Sequence, residues 1–135
     1  MTVPITEADL ARLVQAFYAR VRQDPMLGPV FEDAIDDWPG HLEKLQAFWS
    51  SVMLASGRYK GQPMPAHIRH EARITPAAFM RWLHLWGETT DAILAPEAAA
   101  AMQEKAVRIA ESLALGIHYH RERRDSNVHT ANRVI

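Results

Sequence analysis

The sequence contains no cysteine in its 135 residues. This absence excludes disulfide bonds, thiolate ligands for a metal and a cysteine nucleophile. Histidine occurs seven times and is therefore the obvious side chain to bind a transition metal. The cysteine count by itself leaves the compartment of the protein open.

Long apolar runs and an excess of one charge are also missing. No apolar stretch approaches the roughly 20 residues that a membrane-spanning helix needs. The N-terminal residues include early acidic side chains and no basic start followed by an apolar run, so they do not resemble a secretory signal. With 15 basic and 16 acidic residues the net charge is -1, which gives no attraction towards nucleic acids or anionic membranes. We therefore expect a cytoplasmic protein that binds neither of them.

Alternation of apolar and polar residues is nowhere long enough to predict a strand, and the sequence has no repeat and no phosphate-binding loop. Apolar residues instead recur at the three- and four-residue spacing of helices. Each predicted helix begins at a capping residue or a proline, namely Thr6, Asp36 or Asp37, Thr75 and Pro96. The predicted helices span about 7–23, 38–55, 76–93 and 96–121, with a short turn or half-helix at 27–31.

Length and patterning predict a single domain. A chain of this length removes about two-thirds of its unfolded surface from water, which is enough for one apolar core. We assign residues 1–120 to this domain. From residue 121 onward the apolar period is lost, so we expect a polar and flexible C-terminal tail at 121–135.

The first helix places Tyr18 on its buried side, beside Val14 and Val21. Such a hydroxyl needs a hydrogen-bond partner inside the protein or at a cavity. The alternative is a core residue whose hydroxyl reaches the surface, and this helix alone does not choose between the two.

Two histidines need an explanation. His41 occupies the apolar face of the second predicted helix, together with Leu45 and Phe48. Burying an imidazole without a partner costs free energy, so His41 needs a polar neighbour inside the protein. His67 follows a turn rich in glycine and proline. By spacing alone, His67 and His70 are most simply histidines on a short exposed turn.

Aromatic and histidine residues follow one another in an order that is not generic: Phe17-Tyr18, Phe31, Trp38-x-x-His41, Phe48-Trp49, Gly61-Gln-Pro63, His67 and Phe79-x-x-Trp82-Leu83. This series resembles the truncated haemoglobins of the third group, over residues 5–119. The resemblance implies an all-α, globin-like fold, a truncated two-over-two helical sandwich around haem b. The paired-glycine motifs of other truncated haemoglobins are missing, as in the third group. Trp86 stands where the family often has phenylalanine.

The resemblance implies that His67 is the proximal ligand of the haem iron. In the family this histidine follows the proline-containing loop and binds iron through Nε2, while the backbone or water holds its other ring nitrogen. His70 lies on the same face and is the competing candidate, but it does not match the family position.

On the distal side of the haem, the resemblance places Tyr18, His41 and Trp82. Hydroxyl and indole groups there would donate hydrogen bonds to a diatomic ligand that gains partial negative charge. His41 has two alternative roles, a further donor or a gate at the mouth of the pocket. The apolar walls implied for the haem pocket are Phe31, Leu45, Phe48, Ile74 and Phe79.

The implied function is reversible binding of dioxygen or another small diatomic ligand, such as nitric oxide or carbon monoxide. Polar groups around the iron also suit peroxide, so the alternative is a peroxidase-like or nitric oxide detoxifying enzyme served by an unidentified reductase. A third interpretation is a haem-free helical interaction domain in which His41 is a hydrogen-bonded core residue. The sequence identifies no catalytic residue and leaves the physiological ligand and the oligomeric state open.

Overall fold

The computed structural model describes residues 4–61, 63, 67 and 74–134, with side chains described as far as residue 124. All the regular structure in these ranges is helical, as the spacing of apolar residues predicts. Within these ranges no helix is both long and apolar enough to cross a membrane. The five extended helices are α1 (Glu7–Gln23), α2 (Leu27–Ala34), α3 (Trp38–Leu54), α4 (Pro76–Ile93) and α5 (Pro96–Val134).

Helix α1 begins and ends where its sequence predicts. The Thr6 hydroxyl accepts the backbone N–H of Asp9 at 3.1 Å, and the Asp9 carboxylate accepts the backbone N–H of Thr6 at 3.0 Å. This reciprocal pair is a capping box, which satisfies two N–H groups that have no partner within the helix. At the other end Asp24 precedes a proline, and its backbone is extended.

The predicted caps of α3 and α4 are also confirmed. The Asp37 carboxylate accepts the N–H of Gly40 at 3.2 Å, and the Thr75 hydroxyl accepts the N–H of Ala78 at 3.1 Å. A proline lies in the first turn of each helix, where its missing N–H costs nothing. Helix α3 ends when Ala55 adopts a left-handed backbone with φ of 55°.

Helix α2 is longer than the half-helix that the sequence predicts at residues 27–31. One carboxylate oxygen of Asp24, Oδ2, accepts the backbone N–H groups of Met26 and Leu27, at 3.1 and 2.9 Å. This side chain therefore supplies the partners that the first N–H groups of α2 lack, and the helix continues to Ala34. The prediction failed because it treated Asp24 as the end of α1 only.

Helix α5 continues to Val134, beyond its predicted end at about residue 121. After Gly116 the helix contains neither glycine nor proline. Extending an existing helix adds one hydrogen bond for each residue that is fixed, so loss of the apolar period does not by itself end it. The division of the chain at residue 120 stays a prediction.

Helix α1 lies against α2, α3 and α4, and α4 packs on α5. Three tryptophan rings stack between these helices, with centroids 5.3 Å apart for Trp82 and Trp86 and 4.7 Å apart for Trp86 and Trp49. The Phe17 ring meets the rings of Trp82 and Trp86 edge-on, at 5.2 and 4.8 Å. The Trp86 indole also donates to the Met102 carbonyl of α5, at 3.2 Å. This core fixes the helices that carry the polar residues described next.

Candidate functional site

Tyr18 of α1 lies in the interior, with Trp82 of α4 near its hydroxyl. Tyr18 is only 4% exposed. Burial raises the pKa of Tyr18 far above its usual value, and the Trp82 indole lowers it by a smaller amount. The hydroxyl therefore keeps its own proton to donate. Tyr18 is therefore a neutral donor at any physiological pH.

Aromatic rings from α2 and α3 surround Tyr18. The centroid of its ring lies 5.7 Å from that of Phe31, 6.2 Å from that of Trp38 and 6.1 Å from that of His41. The His41 ring is perpendicular to the Tyr18 ring. The structure thus brings Tyr18, Trp82 and His41, all three predicted distal residues, into one region.

His41 is half-buried on the face of α3 that points towards Tyr18. Burial lowers the pKa of His41, and the positive charges of Lys44 and His67 lower it further. The imidazole is therefore neutral at pH 7 and offers one donor and one acceptor. The contribution from His67 also shows that the two histidines lie within electrostatic range of each other.

The His67 ring is oriented by the backbone. Its Nδ1 lies 2.7 Å from the carbonyl oxygen of Pro63, four residues earlier. A carbonyl can only accept, so Nδ1 donates its proton to it, and Nε2 is the ring nitrogen left to bind a metal. Metal-binding histidines are held in this way, with one ring nitrogen on a backbone carbonyl and the other on the metal. The competing candidate, His70, lies outside the described residues.

The predicted wall residues of α3 lie on the same helical face as His41. Leu45 and Phe48 follow it by four and seven residues, and both side chains are half-buried against the core. Phe79 lies on α4, three residues before Trp82, and Ile74 comes just before the cap of that helix. Both are half-buried. Half-buried apolar residues around a few polar groups suit a largely apolar ligand.

Trp38 is a site residue whose role the sequence does not reveal. It is only 9% exposed, and its indole N–H has no hydrogen-bond partner among the residues that the structure describes. Its ring lies 5.9 Å from that of His41, and the Arg22 guanidinium lies 4.5 Å above it. Its position three residues before His41 places it on the same face, which is the only sequence signal for it.

A cleft of about 210 Å³ opens beside His41. The cleft is also lined by Ile35, Asp37, Gly40 and Lys44, so one side of His41 faces Tyr18 while another borders an opening to solvent.

The predicted site residues, taken together, fit a haem. The set offers one histidine whose Nδ1 is held by the backbone, polar donors in a separate group, and half-buried apolar side chains from α2, α3 and α4.

Comparison with known proteins agrees with this fit. The sequence pattern of the bacterial-like globin family matches residues 6–118. The chain is 32% identical over 111 residues to the group 3 truncated hemoglobin of Campylobacter jejuni, a match that covers 78% of this chain and 86% of that protein. The crystal structure of group III truncated hemoglobin from Campylobacter jejuni has a TM-score of 0.73 and 31% identity, covering 84% of this chain and 92% of that one. The chain therefore belongs to the bacterial-like globins and is a haem-binding truncated haemoglobin of the third group.

Proposed function

We propose that this globin reversibly binds dioxygen, or another small diatomic ligand, at the iron of a haem b held by Nε2 of His67. The observation that carries the proposal is the 2.7 Å hydrogen bond from His67 Nδ1 to the Pro63 carbonyl, which leaves Nε2 as the ring nitrogen that could bind iron. When bound, haem b would supply an iron that can bind a gas. The protein supplies the ring orientation and the surrounding donors.

Tyr18 is the main donor to the ligand in this proposal. Its hydroxyl is buried and neutral, so it has a proton to donate. The buried setting makes the donated bond stronger than it would be in water. A ligand that gains partial negative charge is retained by such a donor.

We assign His41 to the entrance of the site. It is half-buried and lines the cleft that opens to solvent, whereas Tyr18 is buried and does not line it. Phe31, Leu45, Phe48, Ile74 and Phe79 would cover the apolar faces of the porphyrin and exclude water. A cytoplasmic location and an unidentified reductase remain part of the proposal from sequence.

Absorption spectroscopy of the haem-loaded protein tests this function. The ferrous protein is recorded under nitrogen, then with dioxygen, then after dioxygen is removed. We expect a reversible change of the Soret and visible bands. A ferrous spectrum that neither dioxygen nor carbon monoxide changes would contradict the proposal. Turnover of peroxide with a reducing dye, above that of free haemin, would instead favour the peroxidase-like alternative.

A further inference from the structure

An ion pair between a buried carboxylate and a half-exposed guanidinium joins the same two helices that carry Tyr18 and Trp82. Asp24 closes α1, and its side chain is only 3% exposed. Arg81 of α4 donates to its Oδ1 from both Nε and Nη2, at 2.8 and 2.7 Å. The other carboxylate oxygen, Oδ2, accepts the N–H groups of Met26 and Leu27. Four donors therefore hold the carboxylate in one position.

The ion pair lies away from Tyr18 and Trp82 but joins the same two helices, α1 and α4. Asp24 is six residues after Tyr18, which is about 9 Å along a helix axis. Arg81 is the residue immediately before Trp82. Two kinds of contact thus join α1 and α4: the Phe17 ring meets the Trp82 ring at 5.2 Å, and Arg81 donates to Asp24 at 2.8 Å. The ring contact has no fixed partner atoms, whereas the hydrogen bond to Asp24 is directional and so fixes the register of the two helices.

Asp24 also connects the pair to α2. Because its Oδ2 accepts the first N–H groups of α2, the same carboxylate holds the helix that places Phe31 beside Tyr18. The Asp24 side chain therefore connects the three helices α1, α2 and α4 around Tyr18. A buried ion pair is weak support for stability, because desolvation of the charges offsets much of their attraction. This geometry is better suited to fixing one arrangement of the helices than to stabilising the fold.

We propose that Asp24 and Arg81 are positioning residues that set the register of α1 against α4, and so the position of Trp82 against Phe17 and Tyr18. The consequence for ligand retention rests on the function proposed above for Tyr18. Neither residue belongs to the proposed binding machinery. A lysine at position 81 would keep the charge but not the two parallel donors of the guanidinium.

The test compares four variants of the haem-loaded, carbon monoxide-bound protein with the wild type. The Asp24→Asn/Arg81→Met double variant removes both charges and so leaves neither one buried alone. Arg81→Lys keeps the charge and changes only the geometry. Glu104→Gln breaks the exposed Arg108–Glu104 ion pair of α5 and controls for loss of an ion pair. Ala110→Gly weakens α5 and controls for general destabilisation.

Two measurements are made on each variant. Nuclear magnetic resonance records the indole N–H signal of Trp82, which is assigned with a Trp82→Phe sample. Stopped-flow mixing of the oxygenated protein with carbon monoxide records the dioxygen dissociation rate. We expect the double variant and Arg81→Lys to shift the Trp82 signal and to change the dissociation rate by about fivefold. Glu104→Gln and Ala110→Gly should leave both unchanged.

The outcomes separate this inference from the function on which it rests. An unshifted Trp82 signal in Arg81→Lys, or in the double variant, would overturn the positioning role. So would an equal shift in Ala110→Gly, because the effect would then be general. A shifted Trp82 signal with an unchanged dissociation rate would support the register but contradict the proposed role of Tyr18 in holding the ligand. If the double variant does not fold, Arg81→Lys decides the question.

Discussion

Tyr18 carries most of the polar chemistry of the proposed site. Its ring is buried beside aromatic rings of α2 and α3, with Trp82 of α4 near its hydroxyl, and it has one proton to donate. One intramolecular hydrogen bond contributes about 0.5–1.5 kcal/mol net, and a bond to a group that bears charge contributes more. Retention of a diatomic ligand should therefore depend measurably on this single oxygen.

The Tyr18→Phe variant should release dioxygen faster than the wild type by about tenfold, because the ligand loses its main donor. Stopped-flow displacement by carbon monoxide measures the rate. Tyr119→Phe is the matched control, since it removes a hydroxyl from a residue of α5 that is 61% exposed. An unchanged rate in Tyr18→Phe would show that another group holds the ligand.

The sequence of α1 leaves open whether the Tyr18 hydroxyl lies inside the protein or reaches the surface, and in the structure Tyr18 is only 4% exposed. The sequence does not predict that Trp82 lies near this hydroxyl. The reason is physical, because periodicity fixes which face a residue occupies, whereas this proximity depends on how α1 crosses α4. For the same reason the sequence includes Trp38 in the motif without revealing its unpaired indole N–H.

Helix α4 links the site to the core. Trp86 of this helix is 1% exposed, lies between Trp82 and Trp49, and donates to the Met102 carbonyl. The sequence predicts an ordinary core contact between Trp82 and Trp86, and their stacking confirms it. The third ring, from Trp49, is not predictable because it comes from a helix distant in sequence.

Replacing Trp86 should weaken the whole fold. Trp86→Ala should lower the free energy of unfolding by about 3–5 kcal/mol, because it removes a buried ring and leaves a cavity. Trp86→Phe should cost less, since a ring remains in the stack. Denaturant titration followed by circular dichroism measures both. Met80→Ala, at a position of α4 that is 69% exposed, should change little. Equal effects at positions 86 and 80 would contradict this packing.

Helix boundaries were predictable where the signal is local. Thr6 and Thr75 each bond an N–H three residues later, so the sequence alone identifies them, whereas for α3 it leaves Asp36 and Asp37 open and the structure selects Asp37. The length of α2 was not predictable, because Asp24 serves two helices at once. The length of α5 was missed because loss of apolar spacing reports the end of packing, not the end of a helix.

The stability of the whole molecule should fall in acid partly through Asp24. Burial by itself raises the pKa of Asp24, but hydrogen bonds from Arg81 and from the N–H groups of Leu27 and Met26 outweigh it and leave the pKa below its ordinary 3.8. A carboxyl whose pKa is lowered on folding contributes stability above pH 3.8, and this contribution is lost as the pH falls through the folded value.

We therefore expect Asp24→Asn to be less stable than the wild type at pH 7 and to lose less further stability between pH 5 and pH 2. Thermal unfolding followed by circular dichroism at several pH values measures this. The melting temperatures of the two proteins should approach each other as the pH falls. A constant difference in melting temperature across the range would contradict the linkage.

The fold class and the family were predictable because they depend on the order of many residues along the chain. The site as a whole was less predictable from the sequence. By spacing alone His67 is a surface histidine, and only the resemblance to truncated haemoglobins identifies it as an iron ligand. The family assignment replaces the interpretation of the chain as a haem-free interaction domain. The hydrogen bond to Pro63 adds a structural reason that no sequence pattern contains.

The most direct test of the central claim is the absorption spectrum of the His67→Gly variant loaded with haem. We expect it to lose the histidine-ligated spectrum of the wild type and to regain it when imidazole is added, whereas His70→Gly keeps the wild-type spectrum. An unchanged histidine-ligated spectrum in His67→Gly, together with its loss in His70→Gly, would contradict the account.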